Sequence, residues 1–310
     1  MKISKLLMMG LLLLAMACSN EKETPKGYKY TVIKSGDGKV VKPGEFLKLN
    51  LLLKDGKDSI WSDTKKGEIP FAVIRINPES AKVNEEGFEE VLRMLSNGDS
   101  VEVKIPAKVF FEKSYGRPLP PQVDSTSNFI FYLGVTDVLD SVRMMKLEQE
   151  VMAAQQVKQA QQASEQLAKD TVLIDNFLKE KAIVAKTTPS GLRYTVTKAG
   201  KGATPVAGQN VKLNYKGYLL NGKVFDSSIE SIARENNVYQ EGRPYEPLAL
   251  QVGIPGQVIA GWDEAIALMN KGSKMTVYIP STLGYGPQRR SEDILENSIL
   301  VFDMEMVDIK

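Results

Sequence analysis

The 310-residue chain contains no histidine, and its single cysteine is Cys18. Nucleophilic sites that pair serine or cysteine with histidine are thereby excluded, as are metal centres that depend on imidazole. One thiol cannot close a bridge within the chain, so the fold rests on packing even in an oxidising compartment. A surplus of charge is missing as well, since 40 basic side chains face 38 acidic ones. That balance gives no electrostatic footprint for a nucleic acid. Long apolar runs are also scarce. The stretch from Leu6 to Ala17 is 12 residues long, against about 20 needed to cross a bilayer as a helix. Chemistry in this chain is expected to need no strong side-chain base, no cofactor and no metal.

What is present begins with Lys2 and Lys5 ahead of that run and Ala15-Met16-Ala17 just before Cys18. A basic start, a short apolar stretch and small residues before a cysteine resemble a bacterial lipoprotein signal. The resemblance implies a signal peptide at 1–17, lipidation of the Cys18 sulfur and anchoring to a bacterial membrane in the cell envelope, inner or outer. Leucine usually stands three positions ahead of such a cysteine; here that place holds Ala15, with Leu14 one further back. Secretion without an anchor is the alternative. The polar residues 18–27 read as a tether.

An internal repeat organises the rest. Tyr30 to Asn50 matches Tyr194 to Asn214 with ten of twenty-one residues identical, including Tyr-Thr-Val and the closing Lys-Leu-Asn. The match resumes where Gly87-Phe88 meets Gly261-Trp262, Ile105-Pro106 meets Ile279-Pro280 and Tyr115-Gly116 meets Tyr285-Gly286. Two copies of one domain are expected, at 28–139 and 187–310. Alternating segments such as Val211–Tyr215 and Met275–Ile279, with turns such as Asn221-Gly222, predict antiparallel strands. Trp262, Ile266 and Met269 at helical spacing, echoed by Phe88, Leu92 and Leu95, predict one short helix per copy. Each copy is thus expected to be α+β, an antiparallel sheet wrapped on a short helix.

Between the copies, residues 140–186 lack glycine and proline and are rich in Gln, Ala, Lys and Glu. Ala160, Ala163, Leu167, Ile174 and Leu178 fall near one helical face, which predicts a long helical linker. Asp170 is a candidate cap for a second helix, with a bend before it. A spacer that packs its stripe on one domain is favoured over a homodimerisation helix, because the apolar seam is thin.

Four blocks in the second copy carry a family resemblance: Val211 to Tyr218 with Gly222 to Ser228, then Val258-Ile259-Ala260-Gly261-Trp262, Gly284-Tyr285-Gly286 and Leu300-Val301-Phe302-Asp303. Their order and spacing resemble the FKBP-type peptidyl-prolyl cis-trans isomerases. The resemblance implies two FKBP-like domains and, in the second, an apolar bowl between sheet and helix. Tyr215, Phe225, Val258, Ile259, Trp262 and Phe302 would line it, with Trp262 as the floor. Asp226 and Tyr285 would supply the polar rim, and Leu248 and Ile294 would add substrate contacts. Proline-containing polypeptides are the implied partners. Aromatic residues at such positions also serve as plain core, which is compatible with a bowl left open on one side. The loop 229–247 is longer than the family's usual connection, and both Arg234 and Arg243 are candidates for an arginine common there. The loop 287–297 brings Arg289, Arg290, Glu292 and Asp293 where simpler members are small and apolar.

Carried to the first copy, Tyr215 falls on Leu51, Val258-Ile259 on Asn84-Glu85, Trp262 on Phe88, Tyr285 on Tyr115 and Phe302 on Phe131. Phe225 falls on Trp61, with Ser62 in the place of Asp226. A charge at the position of Ile259 is costly to bury, so this pocket is expected to be altered or closed and the domain to have little activity. An anchored isomerase that assists folding of exported proteins is the leading reading. A non-enzymatic protein that holds peptides in both bowls is the competing one.

Overall fold

The computed structural model describes residues 20–25, 27–77, 88–114 and 116–310. It divides into two compact units, Met1–Ala154 and Gln155–Lys310.

The first unit holds β1 (Glu21–Glu23), β2 (Lys29–Lys34), β3 (Phe46–Lys54), β4 (Ile60–Asp63), β5 (Ala72–Arg75), β6 (Ser100–Pro106) and β7 (Asn128–Leu139). They form an antiparallel sheet in the order β1-β2-β6-β7-β3-β4, with β5 alongside β3. Alternation dictates which face is buried: Leu47 and Leu49 of β3 and Phe129, Phe131 and Leu133 of β7 point into the core while their neighbours face out. Two short helices, α1 (Phe88–Leu92) and α2 (Ala107–Val109), accompany the sheet, and α2 runs into a π-helical turn at Phe110–Ser114. The segment read as a tether is partly folded. Glu21–Glu23 pair with Lys29–Thr31, and Lys29 reaches the Glu21 carboxylate at 3.0 Å.

The second unit repeats the plan with β8 (Lys186–Thr187), β9 (Arg193–Lys198), β10 (Asn210–Leu219), β11 (Val224–Ser227), β12 (Leu248–Gln251), β13 (Lys274–Ile279) and β14 (Leu300–Ile309). Its order is β11-β10-β14-β13-β9-β8, with β12 beside β10, which is the first sheet's order element for element. Register repeats too. Gly217 lies opposite Phe302 and Asp226, as Leu53 lies opposite Phe131 and Ser62. Here α4 (Glu230–Glu235) follows β11, and α5 (Ala260–Leu268) packs on the sheet. Gly261 permits that approach, because a Cβ there would lie 2.5 Å from the Ile279 Cγ2.

A single unbroken helix, α3 (Ser141–Glu180), spans the predicted linker. At its start Arg143 bonds the Val138 carbonyl at 3.0 Å and the Asp137 carboxylate at 2.6 Å, within the first unit. Its last turns belong to the second unit, where Ile174 and Leu178 are buried with Tyr278, Ile299 and Val301. Burying an aliphatic side chain of this size contributes roughly 1.5–3 kcal/mol. Asp170 does not cap a second helix. It is internal to α3 and its carboxyl bonds Ser281 instead. Among the described residues, no helix is long and apolar enough to cross a membrane.

Candidate active site

The Phe225-Asp226-Ser227-Ser228 segment is locked to β10 by its serines. Ser227 Oγ donates to the Tyr215 carbonyl at 2.8 Å, and Ser228 Oγ accepts from the Tyr215 N–H at 2.9 Å. Both serines are buried. This anchoring fixes Phe225 and Asp226 two residues and one residue before a point that cannot slide.

Four rings then meet edge to face. Trp262, in the first turn of α5 and only 4% exposed, stands 5.0 Å from the Tyr215 ring and 5.1 Å from Phe302, and Phe225 meets Phe302 at 5.6 Å. Such arrangements set the positive ring edge against the negative face and add about 0.5–1.5 kcal/mol per pair beyond area burial. Gly217 makes the cluster possible. A Cβ at that position would lie 2.7 Å from both the Phe225 and Phe302 rings.

At the rim, Tyr215, Asp226 and Arg243 close a triangle. The Tyr215 hydroxyl donates to Asp226 Oδ2 at 2.6 Å, Arg243 Nη1 donates to Asp226 Oδ1 at 2.6 Å, and Arg243 Nη2 donates to the Tyr215 hydroxyl at 2.9 Å. Burial, followed by the Asp226 carboxylate, holds the Tyr215 phenol well above its ordinary pKa. Bonding to Asp226 raises the guanidinium of Arg243 above its usual value. Of the two arginines left open by the sequence, Arg243 is the one at the site, while Arg234 pairs with Glu230 at 2.7 Å. The long loop supplies Arg243 by stacking: Tyr239 lies flat on Tyr245 at 5.3 Å, with Arg234 over Tyr239 and Arg243 over Tyr245.

Val258, Ile259 and Tyr285 are half-buried against the same core. A cavity of 340 Å³ lies on the Val258 side, lined by Leu250, Val252, Ile254, Asp263 and Ile266 among others. Burial raises the carboxyl pKa of Asp263. Tyr285 has the Arg290 guanidinium over its ring at 5.6 Å, and among the described residues its hydroxyl has no hydrogen-bond partner. Ile294 is buried in the core beneath the 287–297 loop. Leu248 stands apart on β12, opposite Leu213 and 36% exposed. Cys18, Asn84, Glu85 and Tyr115 lie outside the described residues. The roles of Ser227, Ser228, Gly217 and Tyr245 were not assigned from sequence; the first three sit within recognised blocks, while Tyr245 gives no signal outside the fold.

In the first domain the same register positions are filled differently. Leu53 occupies the place of Gly217 and is buried. Phe131, the counterpart of Phe302, meets Phe110 at 5.3 Å, and Phe110 also stacks on Phe129 at 5.0 Å. Trp61 lies 43% exposed with its edge on Phe129 and its indole N–H bonded to Asp55. That bond is the main cause of an Asp55 pKa lowered to about 2.

Comparison with known proteins bears on this arrangement. The profile of FKBP-type peptidyl-prolyl cis-trans isomerase matches residues 201–307. A probable FKBP-type peptidyl-prolyl cis-trans isomerase of Haemophilus influenzae is 37% identical over 180 residues, covering 57% of this chain and 67% of its own. FkpA of Escherichia coli K12, an FKBP-type peptidyl-prolyl cis-trans isomerase, is 36% identical over 167 residues, covering 54% of this chain and 55% of its own. Outer membrane protein MIP of Legionella longbeachae is 33% identical over 168 residues, covering 54% and 64%. The crystal structure of FkpA from Escherichia coli aligns with a TM-score of 0.36 at 36% identity, over 54% of this chain and 70% of that one. With two thirds of the Haemophilus influenzae relative covered at this identity, the chain belongs to the FKBP-type peptidyl-prolyl cis-trans isomerase family.

Proposed function

We propose that the second domain isomerises X-Pro bonds in polypeptides and that the first domain, with little activity of its own, serves as a client-binding or structural module. One observation carries this reading: the edge-to-face set of Tyr215, Trp262, Phe302 and Phe225 is present on the second sheet, whereas Leu53 and Phe110 fill the corresponding space on the first.

The chemistry follows from the bond itself. Rotation about an amide meets a barrier of about 18–20 kcal/mol because resonance is lost on twisting. The planar form carries more charge separation than the twisted one. A water-poor aromatic bowl therefore disfavours the ground state relative to the transition state, and a shape fitted to the twisted ring adds differential binding. No nucleophile is required. Asp226 is already engaged by Tyr215 and Arg243, so its role is to hold the rim rigid and neutralised, and the phenol stays protonated at physiological pH. Tyr285 donates its hydroxyl to a substrate carbonyl and fixes the peptide's direction. Val258 and Ile259 complete the wall, Ile294 supports the rim loop, and Leu248 extends the contact surface along β12.

Lipidation at Cys18 would place this activity in the cell envelope, on exported proteins in the course of folding. The signal-like segment before Cys18 supports this address, and so does the likeness to a relative named as an outer membrane protein. A second reading, peptide holding without turnover, draws on Arg290 over the Tyr285 ring, which adds charge beside the bowl. The deciding experiment is a cis-trans exchange measurement on short X-Pro peptides with the full chain and with Phe225→Ala. Catalysis lost in the variant is the expected result. Exchange no faster than in buffer with the unaltered chain would abandon the enzymatic reading in favour of holding.

A further inference from the structure

Asp170 is 0% exposed, on a helix that precedes the family match at residue 201. Its Oδ2 accepts from the Ser281 backbone N–H at 2.7 Å and from the Ser281 hydroxyl at 2.6 Å, and its Oδ1 accepts from Gln166 Nε2 at 2.8 Å. Aspartate is a poor residue for a helix interior, so α3 by itself has no use for it. Burial of a carboxyl group is costly unless its lone pairs meet donors. Three donors meet this one, two of them from a single residue of the isomerase domain.

That residue is the root of the segment bearing Tyr285. The Ser281 carbonyl accepts from the N–H groups of both Gly284 and Gly286, each at 2.9 Å, so Tyr285 is bracketed by two bonds to one carbonyl. The Gly286 carbonyl in turn accepts from the Asn297 N–H at 2.7 Å, which ties the bracket to the far end of the rim loop. One residue therefore separates Asp170 from the backbone that aims Tyr285. Nearby, Ile174 and Leu178 are buried against Tyr278 of β13, the strand from which this turn emerges.

We infer that Asp170 is a positioning residue for Tyr285, and that α3 is part of the frame of the active site. The inference rests on the rim role given to Tyr285 above. A displacement of about 1 Å at a group that orients substrate is enough to lower rate by tenfold or more.

The test is a double-mutant cycle in the full chain, read as kcat/KM on an X-Pro tetrapeptide. Asp170→Ala is expected to lower it about tenfold in the unaltered background and less than about twofold in Tyr285→Phe, since groups acting through one another are not additive. Asp170→Asn keeps an oxygen for Ser281, with the Gln166 amide turned to accept, and should retain most of the rate. Equal losses from Asp170→Ala in both backgrounds would overturn the inference, because a helix that only stabilises the domain acts regardless of Tyr285. An unchanged rate in Tyr285→Phe would instead overturn the rim role itself, and this inference with it. If Asp170→Ala does not fold, Ser281→Ala deletes one of the two bonds and reads the same cycle: a loss confined to the Tyr285 background supports the inference, and a loss in both overturns it.

Discussion

Opposite Phe302 the second domain has Gly217, and opposite Phe131 the first has Leu53. The missing side chain lets Phe225 and Phe302 close edge to face, while the leucine fills that space and Trp61 stays 43% exposed on the outside. The second difference lies after the sixth strand of each sheet in chain order. There the first domain sends Phe110 onto Phe131, and the second runs through a single turn at Ser281–Leu283. On the function proposed above, an open bowl and a filled one would differ at a few positions on a shared register, and the lesson is that one fold can be kept or lost as a site by individual residues.

The largest effect that would test this comparison is at its floor. Trp262→Ala should destabilise the second domain by about 3–5 kcal/mol as a large buried ring is lost. Phe225→Ala, at the more open edge, should lower kcat/KM on X-Pro peptides about a hundredfold. Trp61→Ala in the first domain should leave that rate within about twofold; a comparable loss there would mean the first bowl is working too. Exchanging the register residue is the next step. Gly217→Leu should cost about 1–3 kcal/mol in the second domain through overpacking, and remove most activity. Leu53→Gly should cost about 2–5 kcal/mol in the first without creating activity, and appearance of turnover would show that leucine alone closes that site.

A smaller change is expected from Arg243→Lys, which keeps charge but not the fork that spans Asp226 and Tyr215. A loss of about threefold to tenfold in kcat/KM fits a rim held rigid by that fork; no change would reduce the triangle to surface decoration. The smallest effect concerns alkali. Tyr215 has a raised pKa in the fold, so its contribution to stability is complete below about pH 10, the unfolded value, and is lost as pH rises through the folded one. The melting temperature of the second domain should therefore hold between pH 7 and 9, as roughly neutral conditions leave the phenol protonated. It should fall more steeply above pH 10 in the natural chain than in Tyr215→Phe, and parallel slopes would contradict the burial that raises it.

Much of this was readable before folding because the repeat preserves local patterns. Alternation in β3 and β10 sets the sheet, and the run without glycine or proline sets α3. The bowl residues sit inside contiguous blocks, so their meeting followed from the blocks. Arg243 was legible only as one of two candidates, since it reaches Asp226 across 17 residues of an enlarged loop whose path depends on the Tyr239–Tyr245 stack. The link from Asp170 to Ser281 spans 111 residues and has no local trace. Phe110 was likewise invisible as a filler, because a π-helical turn has no periodicity that a pattern can reveal. Glu-Lys-Glu in β1 has no apolar alternation, and its strand is imposed by pairing with β2.

That last strand alters what a lipid on Cys18 would mean. The sheet is tied one residue ahead of β1, where the Asn20 carbonyl accepts from the Val32 N–H at 2.8 Å, so the described fold begins two positions in sequence after Cys18. Under the proposed lipidation, the anchor would therefore join the protein at the β1–β2 edge of the first domain rather than through the long polar tether expected from the sequence.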